Sequence, residues 1–159
     1  MIALYERVRL KLAENTWIAL LLLRLFVGYF FFESGWGKIH NLETFTQRFM
    51  EWGIPMPAFN AALSAWTEAV GGLLIMAGLA TRLVSIPLII NMIVAVVTVK
   101  IKKVEGLDDF FELDEPLYAL AFLVLLFAGP GKASLDYLIA RYWTSSRPAA
   151  VPGAAGSSA

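Results

Sequence analysis

The sequence predicts an all-α, polytopic membrane protein, an antiparallel bundle of four transmembrane helices at about residues 17–37, 58–80, 83–100 and 114–131 with short interfacial helices beside them. Three observations predict it. The 159-residue chain is 58% hydrophobic and 16% charged, which leaves too little polar surface for a small soluble domain. From Trp17 to Phe32 nearly every side chain is apolar, Arg24 being the one charge. A helix from Trp17 to Trp36 rises roughly 30 Å, the thickness of a hydrocarbon core.

The first element is Met1 to Leu12, where Leu4, Val8 and Leu12 recur every fourth residue with Arg7, Arg9 and Lys11 between them. That spacing predicts a short helix lying in the membrane interface. Arg24 interrupts the apolar run that follows, and no small-residue cleavage site comes after it, so the run reads as a span rather than a signal peptide. Beyond the first span, Leu42, Phe45, Phe49 and Trp52 alternate with Glu43, Gln47, Arg48 and Glu51, which predicts a second interfacial helix ended by Gly53, Pro55 and Pro57.

The second span carries Glu68 and then Gly71, Gly72 and Gly78, small residues that let a neighbouring backbone approach closely. A tight turn at Thr81 and Arg82 makes the third span, with Pro87 and Asn91, its antiparallel neighbour. The charged run from Lys100 to Glu115 reads as a solvated loop, with a docking or cation-attracting surface as the alternative. Pro116 to Gly129 is the shortest apolar run and needs flanking residues to cross a bilayer. Gly129-Pro130-Gly131 stops it, Asp136 to Trp143 resumes as a surface helix that Asp136 is expected to cap, and residues 144–159 form a disordered tail outside the single domain of residues 1–143.

Composition also excludes. Zero net charge and the lack of a basic stripe interleaved with aromatics argue against a nucleic-acid partner and leave the lipid bilayer as the expected one. The absence of Cys removes disulfides, thiolate metal sites and thiol relays, and a single His, His40, leaves no bis-His haem site, so no metal and no covalently bound cofactor is expected. Arg7, Arg9, Lys11, Arg82, Lys132, Arg141 and Arg147 outnumber Lys38, Arg48, Lys100, Lys102 and Lys103, which places both termini in the cytoplasm by the positive-inside rule.

A charge near the bilayer centre costs on the order of 2.5–3.5 kcal/mol, so the ionisable residues within the spans must face protein or trapped water. Measured from the cytoplasmic ends, Arg24 lies roughly 10 Å from Trp17 and Glu68 roughly 18 Å from Ala80, within reach of each other's long side chains. Two foci are therefore expected. One is an inner network of Arg24, Glu68 and Asn91; the other is an outer group of Glu33, Lys38 and His40.

The arrangement of Arg24, Gly28, Gly35 and Lys38, then Glu68, Gly71-Gly72 and Gly78-Leu79-Ala80-Thr81-Arg82, and finally Gly129 through Asp136, resembles the DoxX family of small four-helix, mostly bacterial membrane proteins. The resemblance runs from about Leu22 to Asp136 and matches Arg24, Lys38, Glu68 and the Gly-Pro-Gly turn with Asp136 by position. It implies the bacterial inner membrane and an association with redox stress and quinone-linked chemistry, the name tracing to a relative, the DoxD-type subunit of a thiosulfate:quinone oxidoreductase. The family has no agreed catalytic set. Three readings stay open: a non-catalytic, quinone-linked subunit with Glu33, Lys38 and His40 at the quinone or proton site and a soluble redox partner; a scaffold for soluble redox enzymes; and a small proton, ion or solute carrier. A homo-oligomer is compatible with each. The bland alternative is that Arg24 and Glu68 form a buried ion pair that fixes helix register, with Asn91 adding a hydrogen bond.

Overall fold

The computed structural model of the protein describes residues 1–101 and 104–145, and these are helical with no strand among them. Residues 146–159, most of the expected tail, and Lys102 and Lys103 lie outside the described residues. The helices are α1 Ile2–Glu14, α2 Thr16–His40, α3 Leu42–Glu51, α4 Pro57–Ala77, α5 Thr81–Ala95 continued by a π-helical turn Val96–Lys100, α6 Leu107–Phe111, α7 Asp114–Ala128 and α8 Leu135–Ser145. Three of them are long and apolar enough to cross a membrane: α2, α4, and α5 with its π turn. By contrast, α7 has 15 residues.

The close pair is α2 and α4, and glycine explains it. A Cβ built on Gly35 would meet the Ala69 nitrogen at 2.3 Å, and one on Gly72 would meet the Phe32 nitrogen at 2.4 Å. The two backbones therefore touch, with Ala61, Ala65 and Ala69 buried along the same face of α4. Small residues at helical spacing let helices approach in lipid, where no hydrophobic force drives association. Beside this seam, Val27 and Phe31 pack with Ile75 of α4, with Leu88 and Met92 of α5, and with Phe122 and Leu125 of α7. The Phe31 ring stands edge-on to Phe122 at 4.8 Å.

α3 is amphipathic in the expected sense. Phe45 and Phe49 are buried against Ala61 and Ala65 of α4, while Glu43, Gln47 and Glu51 are exposed. Gly53, at φ +74°, ends the helix by letting the Ile54 N–H turn back to the Phe49 carbonyl at 3.0 Å.

At the opposite end of α4, Gly78 has φ +68° and the Leu79 N–H reaches the Leu74 carbonyl at 3.0 Å, so α4 stops three residues short of the expected Ala80. The role of Asp136 also differs from expectation. Its carboxylate accepts the N–H groups of Ala80 at 2.8 Å and Thr81 at 3.1 Å, capping α5, while the Ser134 hydroxyl caps α8 through the Tyr137 N–H at 3.2 Å. The charged run holds one helical turn, α6, begun where Asp109 accepts the N–H groups of Glu105 and Gly106.

Candidate functional site

The α2–α4 seam sets which polar groups meet. Gly35 lies against Ala65 and Ala69, so the α2 side chains beside Glu68 are those near position 35. Ser34 and Lys38 occupy that level and point inward. Glu68, 2% exposed, accepts the Lys38 ammonium on both oxygens, at 2.6 Å and 2.5 Å, the Ser34 hydroxyl at 3.0 Å and the Asn91 amide at 2.8 Å. The Ser64 hydroxyl donates to the Asn91 carbonyl oxygen at 2.9 Å, which orients the amide. The Lys38 Nζ also stands 5.2 Å from the centre of the Phe45 ring, so α3 covers the pair with an aromatic face. An opposite charge and four donated hydrogen bonds offset the cost of burying a carboxylate.

Lys38, Phe45, Ser64, Glu68 and Asn91 line a chamber of about 220 Å³ bounded by α2, α3, α4, α5 with its π turn and the start of α7. A second ion pair faces the same space: Lys100 on the π turn lies 2.9 Å from Glu115 on α7. The other Glu115 oxygen is buried with no protein partner among the described residues. Trp52, Ser64, Asn91 and Thr98 are shared with an apolar groove of about 650 Å³ that runs between α4 and α5 past Leu63, Pro87 and Ile90. Ile90 and Leu63 are about half exposed on the outer face of their helices, so the groove is open laterally. The arrangement offers a polar compartment for a headgroup and an apolar channel for a chain.

Two expectations need correction. Arg24 does not pair with Glu68. Its guanidinium, 1% exposed, donates to the carbonyls of Pro130, of Ala133 at 2.8 Å and of Met76 at 3.4 Å, and a Cβ on Gly78 would stand 2.8 Å from its Cζ. The reason is register: Arg24 is level with the end of α4, while Glu68 is level with Gly35, roughly 16 Å farther along α2. Trp17 and Ala80 are not at one depth, as the sequence estimate assumed, because α2 begins well beyond the end of α4. The Arg24 site is a staple that ties α2 to the close of α4 and to the Gly-Pro-Gly turn.

The outer group divides as well. Lys38 joins Glu68, but Glu33, one residue from Ser34 and so about 100° around the helix, is exposed on the outer face of α2. His40 is exposed too, its Nδ1 donating to the Trp36 carbonyl at 2.9 Å. Neither lines the chamber. Ser34, Arg48, Lys100 and Glu115 do take part in or around the site and were not singled out from the sequence. Lys100 and Glu115 carried a detectable signal, the two charges that border the third and fourth apolar runs, but it was submerged in the charged loop. Among the described residues no group of His, Asp and Glu is placed to hold a metal ion.

Comparison with known proteins adds an independent line. The DoxX family model matches residues 19–101. The chain is 31% identical over 134 residues to "Uncharacterized membrane protein Rv3486" of Mycobacterium tuberculosis, covering 77% of this chain and 82% of that one. It is 40% identical over 85 residues to "Putative oxidoreductase CatD" of Bacillus subtilis, covering 54% and 62%. It is 28% identical over 126 residues to "Inner membrane protein YqjF" of Escherichia coli, covering 79% and 95%. No solved structure matches.

Proposed function

The chain belongs to the DoxX family of membrane proteins, and we propose that it serves as a quinone-linked, non-catalytic membrane subunit of a bacterial redox or oxidative-stress complex. The observation that carries this reading is the continuity of the Lys38–Glu68–Asn91 chamber with the apolar groove between α4 and α5. A quinone has a polar ring and a long apolar tail, and those two spaces fit its two parts. When bound, it supplies chemistry that couples electron transfer to proton uptake.

The residues of the chain divide the work. The Lys38 ammonium would donate to a ring carbonyl, with Glu68 holding Nζ in place and neutralising it. Asn91, itself fixed by Ser64, gives the chamber a second oriented amide. Phe49 and Trp52 form aromatic walls at the junction of chamber and groove. With no Cys, the chain has no thiol route for electrons, so a soluble partner would deliver them. The name of the Bacillus relative, "Putative oxidoreductase CatD", agrees with a redox setting.

The membrane arrangement we propose is four spans, α2, α4, α5 with its π turn, and α7, with both termini cytoplasmic. The distribution of Lys and Arg supports the orientation. The name of the Escherichia relative supports the inner membrane.

The test is to reconstitute the purified protein and titrate it with a ubiquinone or menaquinone analogue, reading tryptophan fluorescence with Trp52 as the near reporter. Saturable quenching that Lys38→Met and Glu68→Gln weaken at least tenfold in affinity is expected. If quenching does not saturate, or ignores both substitutions, the quinone reading falls and the scaffold reading becomes the better account.

A further inference from the structure

Lys38 stands between two spaces. On one side is the chamber. On the other, α2 and α3 part at the surface to form a cleft of about 430 Å³ whose walls include Ser34, Lys38, Asn41, Thr44 and Arg48. Five of the seven lining residues carry a hydroxyl, amide, ammonium or guanidinium group, which gives water in the cleft hydrogen-bond partners. Two cleft residues, Ser34 and Lys38, donate to Glu68, and Glu68 lines the chamber but not the cleft. The partition between cleft and chamber is therefore a chain of hydrogen bonds. The apolar groove, by contrast, leaves the chamber between α4 and α5, on walls that the cleft does not share.

We propose that the cleft between α2 and α3 is a water-filled proton inlet, and that Lys38 with Glu68 is the relay that passes protons between the aqueous phase and the ligand chamber. The identity of the proton acceptor rests on the quinone reading; the inlet does not. The step is a proton transfer. The Nζ–H bond of the Lys38 ammonium breaks as an O–H bond forms on the ligand reduced by electrons from the soluble partner, and the neutral amine is then reprotonated by a hydronium ion arriving from the aqueous phase through the cleft, which is left as water. Glu68 keeps Nζ positioned through both halves. The other charged groups facing the pair are Arg48 from α3, Lys100 from the π turn and Glu115 from α7. Arg48 lines both spaces and adds a positive charge to a passage in which Lys38 is paired with Glu68 and Lys100 with Glu115, which disfavours metal cations, so a relay fits better than an open cation path.

The chain has no Cys, so single substitutions can be made in it directly. Charged thiol reagents react with a thiolate in water, and the decisive comparison is Ser34→Cys against Glu33→Cys, adjacent on α2 but about 100° apart around it. In proteoliposomes Ser34→Cys should be modified at least about tenfold faster than Glu33→Cys and within about tenfold of the exposed Thr44→Cys. Adding Thr44→Trp to block the cleft should slow modification of Ser34→Cys. If Ser34→Cys fails to fold, Gly37→Cys replaces it, since Gly37 lines the cleft and an added Cβ there meets nothing within 4 Å. Equal slow modification at the cleft position and at Glu33→Cys overturns the inlet. The labelling needs no quinone, so a wet cleft in a protein that shows no quinone quenching would fail the ligand reading alone, and a dry cleft in one that binds quinone would fail the inlet alone.

Discussion

The Lys38 ammonium sits within 2.6 Å of both carboxylate oxygens of Glu68, joining α2 to α4 where the Gly35 and Ala69 backbones touch. Each partner is the main charge compensation of the other. Removing one leaves a buried ion, so Lys38→Met or Glu68→Leu alone should cost on the order of 3 kcal/mol, and the double substitution should cost less than the sum. Thermal unfolding in detergent over the double-mutant cycle measures this, and additive losses would refute the coupling.

Arg24 belongs to a separate unit. Its partners are carbonyls at the end of α4 and in the turn after α7, and none is shared with Glu68. Arg24→Lys keeps the charge but loses the planar fork that reaches several carbonyls, and should cost about 1–3 kcal/mol. Combined with Glu68→Gln, the losses should add within about 0.5 kcal/mol. A large interaction energy in the same unfolding assay would restore the direct pair expected from sequence.

The α2–α4 seam predicts a sharp contrast between neighbouring glycines. Gly35→Ala would drive a methyl group into the Ala69 backbone, where nothing flexible can yield, whereas Gly37→Ala points into open space. The first should lose more than about 3 kcal/mol or fail to yield folded protein, and the second should stay within about 1 kcal/mol of the parent. Size-exclusion profiles and melting temperatures of the two variants give the comparison.

Orientation is open to direct chemistry. With both termini in the cytoplasm, Thr44→Cys and Asp109→Cys should react with an impermeant thiol reagent in intact cells, and Arg141→Cys only after the cells are opened. The reverse pattern would invert the topology, and with it the side on which the α2–α3 cleft opens.

Much of the fold was legible because it depends on local pattern. Helical spacing of Phe45 and Phe49, the punctuation at Gly53 and Gly129-Pro130-Gly131, and the length of the run after Trp17 each carry their own signal. The site was only half legible. Lys38, Glu68 and Asn91 could be named as polar groups needing partners, but which met which depended on the sliding register of α2 against α4. That register is set by Gly28, Gly35 and Gly72, whose close contacts say nothing in sequence about where each helix begins relative to the other. Counting depth from Trp17 and Ala80 therefore brought Arg24 to the wrong carboxylate. Glu33 and Ser34 differ by one position, and only the seam decides which of them faces inward.

The shortness of α7 bears on the lipid as much as on the protein. Fifteen residues rise only about 22 Å, against roughly 30 Å for an average hydrocarbon core, while α2 with 25 residues rises about 37 Å. Packed side by side through Phe31 and Phe122, the two are helices of unequal length. In the four-span arrangement proposed above, acyl chains beside α7 would splay or compress while those beside the longer α2 would not, and the membrane would be thinned on that flank. Such a flank favours shorter or more disordered lipids as neighbours, which gives the protein a preferred lipid annulus set by the length of one helix.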